Sequence, residues 1–232
     1  KPTVINNIET LANIPTIVRN GAEWFKQFGT EKSPGFKLFA VSGHVQRPGI
    51  YEAPLGTTMR ELLEYAGGIR EGHELKFWIP GGSSVPMLLP EHLDTPLTYE
   101  DMAGLGTMLG TGTPMVFDET TSVVRAISRW IHFYKHESCG KCTPCREGTF
   151  WLDQLLERFE NGTAAEVDID TVDDICKQIA GRGVAGFANA ENLKAEQRSV
   201  LAKIQANQRD GHRYAAVDGG LSVVSDMLND LK

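Results

Sequence analysis

Three cysteines fall close together, at Cys139, Cys142 and Cys145 in the stretch HESCGKCTPCREG. Successive thiols two residues apart share one tight loop. In that position they can grip a single inorganic centre. A C-x2-C-x2-C run commonly holds three corners of a [4Fe–4S] cluster. Zinc sites more often pair two separate knuckles, or a knuckle with histidines. The spacing points first to iron–sulfur chemistry and one-electron transfer.

All four cysteines lie between 139 and 176. Disulfide frameworks spread their cysteines to staple distant loops, so the clustering favours a metal centre in a reducing compartment. A cubane needs four ligands and the loop offers three. Cys176 is the only other cysteine. It lies on an apolar helical stripe, which leaves two readings open, a fourth ligand and a buried packing residue. His136 extends the run to H-x2-C-x2-C-x2-C, a set that also suits tetrahedral zinc. Its alternatives are a hydrogen-bond donor beside the centre or a surface residue. Lys141 and Arg146 add positive charge next to the loop.

The chain has 232 residues, 41% hydrophobic and 23% charged, which suits one large or two modest domains. A net charge of −7 with no basic block argues against nucleic acid as a partner. No apolar run approaches the ~18 residues that span a bilayer. Lys1 reads as mid-sequence, so an upstream region is expected.

Leu11, Ile14, Ile17 and Val18 predict a helix with one apolar face, with Pro15 taken to lie in its first turn. Residues 37–45 and 50–52 predict a β-hairpin around Arg47-Pro48-Gly49. Thr57-Thr58 caps a helix over residues 59–66, stopped by Gly67-Gly68. Further strands are expected at Lys76–Pro80, Met87–Leu89 and Pro114–Phe117. The glycines between 104 and 112 lack phosphate-loop spacing and read as a connection. Past residue 118 the pattern turns helical. One helix is capped by Ser122, and a second starts at Thr143-Pro144 with Phe150, Leu152, Leu155, Leu156 and Phe159 inward. A third is capped by Asp170 and closed by Gly181, and a fourth covers 189–208. Residues 212–232 read as a short strand and helix. The class is α+β: a small β-grasp (ubiquitin-like) domain followed by a helical bundle that carries the cysteine loop.

Three stretches, KPTVINNIETLAN, VSGHVQRPGIYEAPLGTTMRELLEYAGG and FYKHESCGKCTPCREGT, together resemble the flavin-bearing F subunit of NADH–quinone oxidoreductase. This is respiratory complex I, and the mitochondrial counterpart is the 51-kDa subunit. The resemblance covers about residues 1–182. It implies the tail of the flavin domain over 1–35, a soluble-ligand-binding β-grasp (SLBB) domain over 36–118 and an iron–sulfur bundle over 119–182. A divergent helical tail would follow over 183–232. It implies that Cys139, Cys142 and Cys145 ligate a [4Fe–4S] cluster and that Asn6, Asn7 and Thr10 touch FMN. The reading of those three from the residues alone is a turn and a helix cap. FMN and NADH would bind only with the upstream nucleotide-binding domain, so this chain alone is not expected to be catalytic.

The implied route runs from NADH through FMN and the cluster toward quinone. The implied partners are the E-type and G-type (24-kDa and 75-kDa) iron–sulfur subunits of the complex I peripheral arm. The implied location is cytoplasmic, on the inner face of the bacterial membrane through the complex, with no direct insertion. One departure stands out: Ala185 occupies about the place where the family's fourth ligand cysteine is expected. Cys176 could replace it, or the cluster could be three-thiolate and labile, or absent. Flavin subunits of NAD-reducing hydrogenases and formate dehydrogenases share these stretches. A docking domain with zinc or no metal is a rival of a different kind.

Overall fold

The computed structural model describes residues 2–180 and divides the chain into two compact units. The expected closing glycine Gly181, the helix over 189–208 and the elements after 212 lie outside the described residues.

The first unit comprises residues up to Gly82 and Met87–Phe117. It opens with helix α1 (Ile8–Asn20), followed by the short α2 (Ala22–Phe25). Asn7 caps α1, its Oδ1 accepting from Glu9 N at 2.8 Å, so Thr10 sits inside the helix and does not cap it. Pro15 is also interior, where its missing N–H leaves one carbonyl of the preceding turn without an intrahelical donor.

Strands β1 (Phe36–Gly43) and β2 (Gly49–Pro54) form the expected hairpin, in register from Phe36 opposite Pro54 to Val41 opposite Gly49. Helix α3 (Met59–Tyr65) carries a capping box, in which Thr58 accepts from Glu61 N while Glu61 Oε2 accepts from Thr58 N at 2.7 Å. Strand β3 (Leu75–Ile79), helix α4 (Tyr99–Gly104) and strand β4 (Met115–Asp118) complete the set. The sheet order is β2-β1-β4-β3, with β1 antiparallel to β2 and parallel to β4. A mixed four-stranded sheet with helices agrees with the α+β reading, with one strand fewer than expected.

Met87–Leu89 does not form a strand. Leu88 makes one antiparallel bridge with Trp78, and a 3-10 turn at Pro90–His92 ends the pairing because Pro90 has no N–H to donate. Alternation along β1 buries Phe39 and Val41 against Met59, Leu62 and Trp78. Each such side chain contributes about 1.5–3 kcal/mol when fully buried. The glycine-rich stretch before β4 is the expected connection. It delivers Gly112 O and Pro114 O to the N–H groups of Ala40 and Ser42 at 3.0 and 2.9 Å. Gly43 ends β1 at φ +90, where a Cβ would lie 2.1 Å from Val116 O.

The second unit contains helices α5 (Val123–Glu137), α6 (Thr143–Glu160) and α7 (Glu166–Ile179). Ser122 caps α5 as expected, and Asn161-Gly162 ends α6, with Gly162 at φ +67. Helix α7 starts earlier than an Asp170 cap would place it. The Asp168 carboxylate accepts from Ala165 N at 2.6 Å and takes both Arg158 guanidinium nitrogens at 2.9 and 3.0 Å. That fork pairs the end of α6 with the start of α7. At the other end a Cβ on Gly148 would meet Ile179 Cδ1 at 2.6 Å and Ile175 Cγ2 at 3.3 Å, so α6 and α7 run antiparallel. The α6 stripe is Gly148, Thr149, Leu152, Leu155 and Leu156. Phe150, expected inward, is 41% exposed. Residues 150 and 151 fall on the outer side once 148, 152 and 155 face α7.

Two outcomes are expected. Gly148→Ala forces a methyl into the Ile179 contact and destabilises the helical unit by about 1–3 kcal/mol in denaturant unfolding. Adding Ile179→Val recovers part of that loss. In the first unit Glu100 accepts from the buried Ser33 Oγ at 2.6 Å and from Thr30 Oγ1 at 3.2 Å, and the Ser33 bond foremost holds its carboxyl below the usual carboxylate range. The stabilisation is complete above that range and is lost as the pH falls through the lowered value. Thermal melts on the acid side should therefore fall more steeply for wild type than for Glu100→Gln.

Candidate metal centre

The cysteine loop joins α5 to α6. Helix α5 ends after His136 and Glu137, and Ser138 is its C-cap. Cys139 is exposed, while Cys142 and Cys145 are half-buried, and none of the cysteines is in a disulfide. The turn is made by Gly140 at φ +73, whose N–H donates to Ser138 Oγ at 3.3 Å. Arg146 Nη1 donates to Gly140 O, and the Ser138 hydroxyl lies 3.5 Å from Cys145 Sγ.

Cys142 occupies the N-cap of α6 without using its side chain as a cap, and Pro144 follows in the first turn. Cys145 is in that same turn, where Thr149 Oγ1 bonds its carbonyl at 2.7 Å. The first turn of α6 carries the partial positive charge of a helix N-terminus, which suits a ligand set of thiolates. Lys141 is exposed beside it, and the Arg146 guanidinium also pairs with Glu147 at 2.8 Å.

Below the loop, α5 and α6 are clamped by Asp153, which takes Lys135 Nζ at 2.6 Å and faces His132 Nδ1 at 3.2 Å. Arg125 pairs with Glu160 at 2.7 Å toward the far end. His136, the extra residue of a zinc set, has an 81% exposed side chain turned to Glu137 at 3.0 Å.

Cys176 is 0% exposed, on the α7 stripe with Ile169, Val172 and Ile179. The pairing of Gly148 with Ile175 and Ile179 sets it level with Gly148. Cys145 lies three residues earlier, about 4.5 Å further along the α6 axis. The three loop thiols thus sit at the end of the α6–α7 pair where α6 begins, and Cys176 sits inside it. The donor set fits three corners of a cluster.

Asn6 and Asn7 precede α1 and Thr10 lies in its first turn, and all three are exposed. Their neighbours are exposed too, Val4 at 86%, Ile5 at 89% and Ile8 at 82%. Asn7 has a structural duty as helix cap. Two anchoring residues escape a reading of motifs. Glu9 Oε1 accepts from Leu38 N at 2.7 Å and its Oε2 meets Lys37 Nζ at 3.2 Å, tying α1 to β1. Gly148, a glycine inside a helix, signals close approach because it otherwise costs about 1 kcal/mol relative to alanine.

Residues 125–196 match the iron–sulfur binding region of the NADH-ubiquinone oxidoreductase F family, and residues 38–88 match the SLBB domain. The chain is 63% identical over 188 residues to the F subunit of NADH-quinone oxidoreductase from Mycobacterium tuberculosis, covering 81% of this chain and 42% of that one. It is 46% identical over 225 residues to the mitochondrial 51 kDa subunit of Neurospora crassa NADH-ubiquinone oxidoreductase, covering 94% of this chain and 45% of that one. Similarity thus continues past residue 182, the end of the motif-based resemblance. A crystal structure of an air-oxidized NAD+-reducing [NiFe]-hydrogenase matches with a TM-score of 0.77 and 31% identity, over 95% of this chain and 38% of that one. The chain spans about two fifths of the length of the bacterial F subunits it matches. It belongs to the family of the NADH-quinone oxidoreductase F subunits, of which it carries the SLBB domain and the iron–sulfur binding region.

Proposed function

We propose that this chain is the electron-relay portion of a complex I flavin subunit, with Cys139, Cys142 and Cys145 as cluster ligands. The observation that carries the reading is the placement of these thiols on one braced loop, inside the stretch that matches the iron–sulfur binding region. A bound [4Fe–4S] cluster would supply one-electron transfer, taking electrons from FMN in the upstream part of the subunit on the way to quinone. The chain's own residues prepare for that. Ser138, Gly140 and Arg146 hold the loop backbone, and the N-terminus of α6 favours negative charge at Cys142 and Cys145.

Exposed apolar side chains on α1 and on the stretch before it support an upstream continuation. Val4, Ile5, Ile8 and Val18 are exposed here, and the matched subunits are more than twice as long. In the full subunit those side chains would be covered by the flavin domain, placing Asn6, Asn7 and Thr10 against FMN. The E-type and G-type subunits of the peripheral arm would be the neighbours. The hydrogenase likeness makes the flavin subunit of an NAD-reducing hydrogenase the second reading.

After anaerobic reconstitution, wild type is expected to bind iron and sulfide and to give an EPR signal on reduction with dithionite. Cys142→Ser should lose nearly all of the bound iron and melt at a lower temperature, because metal binding contributes folding energy. Equal iron content and melting temperature in the two proteins would sink the assignment.

A further inference from the structure

A [4Fe–4S] cluster has a fourth corner that the cysteine loop alone does not fill. Four thiolates are the usual ligand set for a [4Fe–4S] cluster, and the whole sequence holds four cysteines. Three are on the loop. The fourth, Cys176, is enclosed in α7 with 0% exposure. Ile179 stands one turn nearer the loop on the same stripe, 3% exposed, and fills the space that Gly148 leaves open between α6 and α7. The Ala180 N–H bonds Cys176 O at 3.0 Å and closes the last turn of the helix. Cys176 is thus packed inside the helix pair, with Ile179 between it and the end that carries the loop.

We infer that a cluster in this chain is held by three protein thiolates only, and that its fourth iron is an open corner binding a small exogenous thiolate. The inference rests on the cluster assignment of the preceding section. Soft iron favours a thiolate there, and water or hydroxide would fill the corner otherwise. An iron without a protein thiolate is also the one that leaves on oxidation. With ferricyanide as oxidant, [4Fe–4S]2+ gives up one electron and releases Fe2+ to leave [3Fe–4S]+, while ferricyanide becomes ferrocyanide. Ferrous iron and a reductant reverse the step.

The test compares the reconstituted wild-type chain with Cys176→Ala, using iron content, far-UV circular dichroism and EPR. Both proteins should hold equal iron. In both, 2-mercaptoethanol should shift the EPR spectrum of the reduced cluster. Ferricyanide should release one iron per cluster and produce a three-iron signal that ferrous iron and dithionite abolish. A Cys176→Ala protein with unchanged helix content but no cluster would overturn the inference and make Cys176 the ligand. An intact wild-type cluster indifferent to the thiol and to ferricyanide would overturn it too, since another group of the chain would then close the corner. A wild-type chain that takes up no iron would overturn the cluster assignment itself, and this inference with it.

Discussion

At Gly148 the absence of a side chain lets Ile175 and Ile179 come against the α6 backbone, and the arrangement of the helical unit follows from that approach. With the α6–α7 distance fixed at one end, the Arg158–Asp168 fork fixes it at the other. A bidentate pair constrains direction as well as distance, so the two helices cannot slide by a turn without losing both contacts. The cysteine loop inherits its position from this pairing. Cys145 is one turn from Gly148, and the remaining thiols follow through Cys142 at the helix cap. Asp153 sets the angle of α5 by drawing Lys135 and His132 onto α6.

The first unit solves a different problem. A mixed sheet whose β1 strand is shared between an antiparallel and a parallel neighbour needs partners along both edges of that strand. Pro114 and Val116 supply them at one end, and Gly112 further back. At the start of β1 the edge that faces β4 meets no strand among the described residues, and the Glu9 carboxylate takes the Leu38 N–H there. Helix α1 is thereby attached to the sheet by a side chain, while its apolar residues face outward.

Much of this was legible in the sequence where the signal is local. The hairpin around Pro48-Gly49, the Thr58 and Ser122 caps and the Asn161-Gly162 stop depend on residues within a few positions of one another. The loop of the candidate site was legible for the same reason. What escaped depends on tertiary partners. Met87–Leu89 has strand-like residues but only one of them finds a partner before Pro90. The start of α7 is set by Asp168 answering an arginine ten positions back, which outcompetes the Asp170 cap. Phe150 reads as inward from hydrophobicity, but Gly148 decides which face of α6 meets α7 and leaves Phe150 on the outer side. The role of Glu9 is invisible to periodicity, since its target lies on another element.

The Ser138–Gly140 turn has a kinetic consequence. Its backbone is already held by a side-chain hydroxyl and a guanidinium, so loading a metal centre does not have to freeze a floppy loop. The ordering entropy was lost when the helices packed. Of the three loop thiols only Cys139 is exposed, so it is the first that a reagent arriving from solvent meets.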